Sequence, residues 1–341
     1  MTHQPKVSVV MSTFNGERYL SEAVESLLNQ TFKDFELIIV NDGSTDSTAT
    51  ILREFEDERL VILHNSENQG IAPSQNKALA AARGEYIALQ DCDDISLSRR
   101  LELQVDFLDR QPDISLIGSS AYMIDEAGET VDIWDQPAND MQAKWEFLFG
   151  CPIFHTTAML RRSVFDRTAP YTKDCTFSCD SELFSRIADA NKVFKLPEPL
   201  VKWRLHKNST SFVRAEILRK EALSISRRNM TALVAGKANL DALSWRGVEL
   251  LLMMNVGATI DLSRTQLRGA ANFIFAVNDA FYERYGFTTE DAREHRRGFY
   301  SKLIRRFLAL ACRAGNGNRD LICRVASIGW AAKVSMRLCR L

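Results

Sequence analysis

The segment Glu85-Tyr-Ile-Ala-Leu-Gln-Asp-Cys-Asp-Asp94 begins as an apolar run and ends in three carboxylates. A strand that is buried on both faces of a parallel sheet has this continuous apolar character. Ligands of such sheets bind beyond the carboxyl ends of the strands, so we expect Asp91, Asp93 and Asp94 to face a ligand.

Carboxylates this close together repel one another unless a cation neutralises them. Mg²⁺ and Mn²⁺ prefer oxygen ligands and bridge to phosphates, and a diphosphate leaving group needs such neutralisation. The cluster therefore predicts a divalent metal site. A solvated acidic turn that caps the next helix explains the same residues, and the motif alone leaves both interpretations open.

Three further apolar runs of strand length precede this segment, at residues 7–11, 35–40 and 60–63. Segments with apolar residues at helical spacing separate the four runs, and the third of these helices is predicted from near Pro73 to Arg83, with Gly84 at its C′ position. Alternating strands and helices indicate βαβ units with parallel strands and right-handed crossovers.

The second strand ends in Asn41-Asp42-Gly43-Ser44, which is either a tight turn or a second group of ligand-facing side chains. No G-x-G-x-x-G follows the first strand, and no G-x-x-x-x-G-K-[ST] occurs anywhere in the chain. A dinucleotide dehydrogenase and a P-loop enzyme are therefore disfavoured.

The remainder of the chain changes in character twice. Residues 114–211 have a mixed pattern, with helices predicted near 139–149 and 178–190, and the pattern from about residue 212 onward is helical. Because 341 residues are many for one core, we expect a domain boundary near residue 212 and a helical region at 212–341.

The composition excludes several classes of protein. No run of about eighteen apolar residues is present, which argues against a membrane-spanning helix. Residues 1–6 are short and polar and do not resemble a signal peptide. The seven cysteines are scattered without a C-x-x-C pair, which favours free thiols in a reducing cytosol.

Positive charge is concentrated at the C-terminus. Residues 293–341 contain twelve Lys and Arg against two acids, a net charge of about +10, so residues 1–292 carry about −11. This asymmetry predicts an anionic partner, either nucleic acid or anionic lipid. The last predicted helix, at 319–340, has Lys333, Arg337 and Arg340 beside an apolar face. It is suited to an anionic membrane surface or to packing on its neighbours, and both interpretations stay open.

Four motifs in order give the chain a family resemblance. They are Val7-Ser-Val-Val-Met-Ser-Thr-Phe-Asn15, Ile38-Ile-Val-Asn-Asp-Gly-Ser-Thr-Asp46, Asn68-Gln-Gly70 and Gly84-Glu-Tyr-Ile-Ala-Leu-Gln-Asp-Cys-Asp-Asp94. Over about residues 5–211 the chain resembles family 2 glycosyltransferases with the GT-A fold. The resemblance implies an α/β fold with a Rossmann-like mixed sheet flanked by helices, followed by an all-α C-terminal region. It also implies a catalytic domain at 1–211, with a nucleotide-sugar half at about 1–112 and an acceptor half at about 113–211.

The resemblance implies a nucleotide-sugar donor, with a UDP-sugar favoured, and a divalent cofactor, Mn²⁺ or Mg²⁺. Asp91 is expected to face the ribose or sugar, Asp93 to bind the metal, and His206 to complete the metal shell, where imidazole suits Mn²⁺ better than Mg²⁺. Lys207 or Arg204 is expected to pair with phosphate. The implied donor-binding residues are Ser12, Thr13, Asn15, Glu17, Asp42, Asn76, Asp91 and Asp93.

Transfer with inversion requires a base that deprotonates the acceptor hydroxyl. The segment from Phe177 resembles the family's Glu-Asp segment, with Asp180 at the base position, Cys179 in place of the usual Glu, and Glu182 as a weaker candidate. Asp180 at a helix start also suits a capping role, and the two roles are compatible. His155 falls in a segment that usually forms the acceptor wall. Two tryptophans, Trp134 and Trp145, are placed for sugar stacking or, as the pattern favours, for core packing.

The resemblance implies an inverting hexosyltransferase that moves a single sugar from a nucleoside-diphosphate sugar to an acceptor hydroxyl. The expected acceptor is a glycan or a lipid-linked molecule in bacterial surface polysaccharide or glycolipid assembly. The protein is expected in the cytoplasm, peripheral to the inner face of the membrane, and no nucleic acid partner is expected. The rivals are a nucleotidyltransferase and a nucleotide-sugar-binding protein on the same fold.

Overall fold

A computed structural model of the chain describes residues 4–135, 138–172, 175–234, 245, 248, 264–287, 290, 292–295 and 298. The described chain forms two compact units, Met1–Ser226 and Arg227–Leu341. The boundary near residue 212 and the division of the catalytic region near residue 112 stay predictions of the sequence.

Four parallel strands form one half of the central sheet, in the order β3-β2-β1-β4. They are β1 (Val7–Thr13), β2 (Phe35–Asp42), β3 (Leu60–Asn65) and β4 (Tyr86–Asp91). The connecting helices are α1 (Leu20–Leu28), α2 (Thr48–Glu54) and α3 (Ile71–Ala81). The alternating pattern predicted from the sequence is confirmed. Helix α3 ends earlier than expected, with Ala82 as its C-cap, so Gly84 does not occupy the C′ position.

The second half makes the sheet mixed. Its elements are β5 (Ile95–Ser96), α4 (Arg100–Arg110), β6 (Ile114–Ile124), β7 (Thr130–Trp134), α5 (Asp140–Glu146), β8 (Met159–Arg161), α6 (Cys179–Ala190) and β9 (Lys192–Arg204). Strand β8 runs antiparallel between β4 and β6, and β9 lies parallel to β6 and antiparallel to β5. The full order is β3-β2-β1-β4-β8-β6-β9-β5, with β7 paired to β6. Short 3₁₀ helices at His155–Thr157 and Arg162–Asp166 flank β8.

Side chains on successive positions of a strand point to opposite faces, and β1 shows how this produces two cores. Val7, Val9 and Met11 belong to a cluster on one face, with Leu20 of α1. Val10 belongs to a second cluster on the other face, which includes side chains of α3 and α6. The sheet is therefore covered on both sides, and its strand ends are left for a ligand site.

The register of the sheet brings the ends of three strands together. Ser12 pairs with Asp91 across β1 and β4, and Thr13 pairs with Asn41 across β1 and β2. The polar residues that follow these strands therefore start from one edge.

After β9 the described chain is helical, with α7 (Thr210–Val213), α8 (Ala215–Leu233) and α9 (Arg264–Tyr285). Among the described residues, no helix has the length and hydropathy that crossing a bilayer requires. The predicted basic helix at 319–340 lies outside the described residues.

Candidate active site

The first carboxylate of the predicted metal motif, Asp91, is bound by a histidine from the second half of the sheet. His155 Nδ1 lies 2.8 Å from Asp91 Oδ1, and His155 Nε2 lies 3.2 Å from the hydroxyl oxygen of Tyr171. Burial opposes a positive charge on His155, but the attraction of Asp91 outweighs it and the pKa of the imidazole is raised. The ion pair therefore joins the end of β4 to the predicted acceptor wall.

The second carboxylate, Asp93, lies against a different histidine. His206 Nε2 is 2.8 Å from Asp93 Oδ2, and the His206 ring packs 5.1 Å from the ring of Tyr19. Within the described residues, no three His, Cys, Asp or Glu side chains converge as a ready-made metal cage. The Asp93–His206 pair still offers one carboxylate oxygen and one imidazole nitrogen at adjacent positions, a donor set that suits Mn²⁺.

The third carboxylate, Asp94, points inward. Its Oδ1 accepts a hydrogen bond from the backbone N–H of Arg204 (2.8 Å), and its side chain is buried. Burial, together with repulsion from Asp93 and Asp91, raises the pKa of Asp94 well above its ordinary value. Asp94 therefore serves to fix the end of β9 beside the motif.

A fully buried arginine lies beneath the three carboxylates. Arg100 donates to Gln90 Oε1 (2.8 Å), Ser96 Oγ (2.9 Å) and the carbonyl oxygen of Leu89 (2.8 Å). Burial lowers the pKa of Arg100 to about 9, so the guanidinium remains charged at neutral pH, where Asp94 and Asp91 attract it. This positive charge offsets part of the repulsion among the acids.

Arg204 connects the motif to helix α1. Its Nε donates to the backbone oxygen of Asp93 (2.9 Å), its guanidinium forms an ion pair with Glu22, and it lies 4.5 Å from the ring centroid of Tyr19. Because these groups contact a buried guanidinium, the structure disfavours the expected pairing of Arg204 with phosphate. Lys207 is exposed and stays a candidate for that contact.

The loop after β1 is fastened to the loop after β2. Asn15, with a φ of 53°, donates its N–H to Ser44 Oγ (3.0 Å) and accepts at Oδ1 from the N–H of Thr45 (2.9 Å). Glu17 Oε2 accepts from the N–H of Ser47 (2.9 Å). Asn15 and Glu17 therefore hold two loops together, and their contacts with a donor stay a prediction.

The two predicted donor residues within β1 lie at the aligned strand ends. Ser12 Oγ accepts a hydrogen bond from Gln75 Nε2 (3.1 Å), and Thr13 is buried. A Cβ atom at Gly16 would come within 2.4 Å of Thr13 Oγ1, so a larger residue there would force the Thr13 side chain to shift. A role for Ser12 and Thr13 in donor binding stays a prediction.

Asp42, at the end of β2, holds the start of α3. Its carboxylate accepts from Asn65 Nδ2 (2.7 Å), from the N–H of Gln69 (2.9 Å) and from the N–H of Gly70 (2.9 Å). Both oxygens are thus bound by the protein itself. The expected contact between Asp42 and the base or ribose stays a prediction.

Asn76 also binds protein atoms, at the segment that carries Tyr171. Its Nδ2 donates to the carbonyl oxygen of Tyr171 (2.8 Å), and its Oδ1 accepts from the N–H of the same residue (3.0 Å). This pair of bonds positions the tyrosine whose hydroxyl contacts His155. The structure therefore places Asn76 beside Tyr171, which contacts His155, and the contact of Asn76 with the donor stays a prediction.

Asp180 occupies the first turn of α6. Its Oδ1 accepts from the N–H of Ser181 (2.7 Å), and its carboxyl group interacts electrostatically with His155 and Asp91. Burial raises the pKa of Asp180, and the attraction of His155 opposes this rise. Asp180, His155 and Asp91 therefore belong to one electrostatic site.

Two neighbours of Asp180 differ from it in environment. Cys179 is buried, and burial raises the pKa of its thiol to about 12, so it is neutral at physiological pH. Glu182 is also buried, and Arg186 Nε donates to both of its carboxylate oxygens (3.0 and 2.9 Å). The ion pair disfavours Glu182 as the alternative base.

Three aromatic side chains pack together beside β9, in the second half of the sheet. Trp134 stacks on Phe154 with 3.8 Å between ring centroids, and Phe154 lies 4.6 Å from Trp203. Lys195 Nζ lies 3.0 Å from the Trp134 ring centroid and, within the part of the chain that the structure describes, has no hydrogen-bond partner. Trp145 is buried, as expected for core packing.

Two residues of this site had no signal in the sequence. Arg100 and Tyr171 carry no motif, and the contacts of Arg100 with the carbonyl oxygen of Ala158 and of Tyr171 with His155 form only in the folded chain. Only a three-dimensional arrangement identifies them as part of the site.

Comparisons with known proteins identify the class. The glycosyl transferase family 2 profile matches residues 8–168. An uncharacterized glycosyltransferase of Haemophilus influenzae is 33% identical over 267 residues, covering 75% of this chain and 82% of that protein. TuaG of Bacillus subtilis, a putative teichuronic acid biosynthesis glycosyltransferase, is 41% identical over 107 residues, covering 31% of this chain and 42% of that protein.

The crystal structure of S. aureus TarS 1–349 in complex with UDP-GlcNAc has a TM-score of 0.58 at 19% identity and covers 82% of each chain. This likeness confirms the expected GT-A type of mixed sheet flanked by helices. The fold and the family match define a glycosyltransferase enzyme. The chain belongs to glycosyltransferase family 2.

Proposed function

We propose that the enzyme transfers a single sugar with inversion from a nucleoside-diphosphate sugar to an acceptor hydroxyl, with Asp180 as the base. The acceptor oxygen attacks the anomeric carbon while the bond from that carbon to the diphosphate breaks. Asp180 takes the proton of the acceptor hydroxyl, and the nucleoside diphosphate leaves. The carrying observation is the half-buried carboxyl group of Asp180 in the first turn of α6, which interacts electrostatically with His155 and Asp91.

The donor set at the end of β4 supports a divalent cofactor, Mn²⁺ or Mg²⁺, held by Asp93 and His206. When bound, the cation supplies positive charge to the departing diphosphate. Asp91 orients the donor through its ion pair with His155, and Ser12, Thr13, Asn15, Glu17, Asp42 and Asn76 form the surrounding donor wall. Lys207 is the exposed cation available to phosphate.

The similarity to TarS, which binds UDP-GlcNAc, supports a UDP-sugar donor. The similarity to TuaG supports an acceptor in bacterial surface polysaccharide or glycolipid assembly, either a glycan or a lipid-linked molecule. A cytoplasmic enzyme that is peripheral to the inner face of the membrane, through its basic C-terminus, would reach a lipid-linked acceptor.

The donor is tested by incubating the full chain with a panel of nucleotide sugars in Mn²⁺, Mg²⁺ or EDTA and measuring nucleotide release. We expect nucleoside diphosphate from a UDP-sugar and no release in EDTA. Release of pyrophosphate would instead support a nucleotidyltransferase. Release that EDTA leaves unchanged would contradict the metal assignment.

The base is tested by Asp180→Asn, which keeps the shape of the side chain but cannot accept the proton. We expect kcat to fall by about 10²–10⁴-fold, the usual contribution of a general base, while donor affinity survives. Asp189→Asn, on the exposed side of the same helix, is the matched control and should retain activity. Near-normal turnover of Asp180→Asn would remove Asp180 as the base.

A further inference from the structure

The helix that carries Asp180 begins without a cap of its own. Ser178 is the N-cap residue of α6, but its side chain accepts no hydrogen bond from the first turn. The first backbone N–H groups of a helix need acceptors, and an anion is favoured there. In α6 a carboxylate from elsewhere in the chain binds the segment that leads into the helix, up to the N-cap residue.

Glu221 of α8 binds that segment, at the N-cap residue and at the two residues before it. Its Oε1 accepts from the N–H of Thr176 (2.8 Å), and its Oε2 accepts from the N–H groups of Phe177 (3.0 Å) and Ser178 (2.8 Å). Burial raises the pKa of Glu221, but these hydrogen bonds outweigh it and the pKa is lowered. The carboxylate is therefore ionised at neutral pH and fixes three successive backbone groups.

One face of α8 contacts the segment that leads into α6. Arg214, just before the helix, and Leu218, Glu221 and Ile225 within it recur at spacings of four, three and four, which places them on one side. Arg214 lies 5.7 Å from the Phe177 ring centroid, and the carbonyl oxygen of Leu218 accepts from the Ser178 hydroxyl (3.4 Å). Ile225 is buried in the same core cluster as Cys179.

We propose that Glu221 is a positioning residue for Asp180, which it acts on by fixing the backbone of residues 176–178. The inference rests on the proposed function of Asp180 as the base. Asp180 lies two residues beyond the last N–H that Glu221 binds, and its carboxylate accepts a hydrogen bond from the adjacent N–H of Ser181. The orientation of its carboxylate therefore follows the orientation of the helix start. A misplacement of about 1 Å in a catalytic group costs about a hundredfold in rate.

The test compares Glu221→Ala and Glu221→Gln in the full chain, with UDP-GlcNAc or whichever panel sugar is hydrolysed fastest as the probe. We expect kcat of Glu221→Ala to fall by about a hundredfold. Glu221→Gln retains an acceptor oxygen and should fall less. Donor affinity, measured by calorimetry, should stay within about twofold in both, because an interaction that only aligns the base affects kcat and not donor binding.

Glu216→Ala is the matched control, since Glu216 lies on the same helix and pairs with Lys220 at an exposed position. It should retain kcat. An unaltered kcat in Glu221→Ala overturns the inference, as does a loss of kcat matched by an equal loss of donor affinity. If Glu221→Ala fails to fold, the same two criteria apply to Glu221→Gln. Activity in Glu221→Ala together with an inactive Asp180→Asn removes this inference alone, whereas an active Asp180→Asn removes the base assignment itself.

Discussion

At the scale of single residues, three neighbouring carboxylates after β4 face three different partners. Asp91 pairs with His155, Asp93 with His206, and Asp94 with the backbone of Arg204. All three partners are remote from the motif in sequence. Asp94 is bound by the main chain and serves the fold, whereas Asp91 and Asp93 stay the candidates for contact with a ligand.

Lys195 is the residue with the clearest conflict between charge and burial. It is fully buried, and burial lowers the pKa of its ammonium group to about 8 from 10.5. The folded protein therefore loses this proton at a lower pH than the unfolded chain does. Stability of the natural protein should rise with pH between about 8 and 10.5, because the unfolded state binds more protons there.

We predict that Lys195→Met stabilises the protein by about 1–3 kcal/mol at neutral pH, since it removes a buried ammonium group whose attraction to Glu146 and Asp135 does not offset the cost of burial. The advantage should shrink as the pH rises from about 8 past 10.5, because the lysine becomes neutral in both states only above 10.5. Urea unfolding of both proteins across this range measures it. Lys192→Met, at an exposed ion pair on the same strand, should change stability by less than about 0.5 kcal/mol. A destabilised Lys195→Met would show that the ammonium group contributes favourably through Trp134.

At the scale of elements, the turn between α3 and β4 approaches the start of β1 closely. Gly84 donates its N–H to Ser8 Oγ (2.8 Å), and a Cβ atom at Gly84 would lie 2.4 Å from the backbone nitrogen of Ser8. Backbone atoms cannot yield as the tip of a side chain can. The glycine is therefore required by a close contact between segments and not by a helix end.

We predict that Gly84→Ala destabilises the protein by about 1–3 kcal/mol, the usual range for overpacking. Gly150→Ala is the matched control, because a Cβ atom there meets nothing within 4 Å. Thermal unfolding of the two variants provides the comparison. Equal midpoints would indicate that the turn moves away from β1 without penalty.

The elements themselves were largely predictable, because local sequence decides them. The apolar runs of β1, β2 and β4 and the helical repeat of α6 each lie within one short window. Strand β8 escaped prediction because Met159–Arg161 is too short to show a period. The carboxylates of the site were predictable as a motif, whereas Arg100 and Glu221 were not, since each acts on residues reached only after folding.

At the scale of the whole molecule, charge is divided along the chain. Residues 293–341 carry a net charge of about +10, against about −11 for the rest. An anionic bilayer attracts basic side chains by about 1 kcal/mol each near its surface, and salt weakens the attraction. The division favours a peripheral enzyme whose membrane contact depends on ionic strength.

We predict that the full chain sediments with vesicles of phosphatidylglycerol and phosphatidylcholine, but not with phosphatidylcholine alone. Changing Lys333, Arg337 and Arg340 together to Gln should weaken binding by up to about a hundredfold. The matched control changes three exposed basic residues of the first unit, Lys33, Arg53 and Arg110, to Gln. Equal losses in the two triple variants would point to net charge alone, and equal binding to both kinds of vesicle would contradict the proposed electrostatic contact.

The double hydrogen bond between Asn76 and the main chain of Tyr171 has a consequence for protein engineering. The two bonds connect residues 1–112, which are expected to hold the donor, to residues 113–211, which are expected to select the acceptor. In a chimaera that takes residues 113–211 from a relative, the side chain of Asn76 will face a segment from that relative in place of the segment that carries Tyr171. Chimaeras within this family that are made to change specificity should therefore be active most often when the residues at positions 76 and 171 are exchanged together.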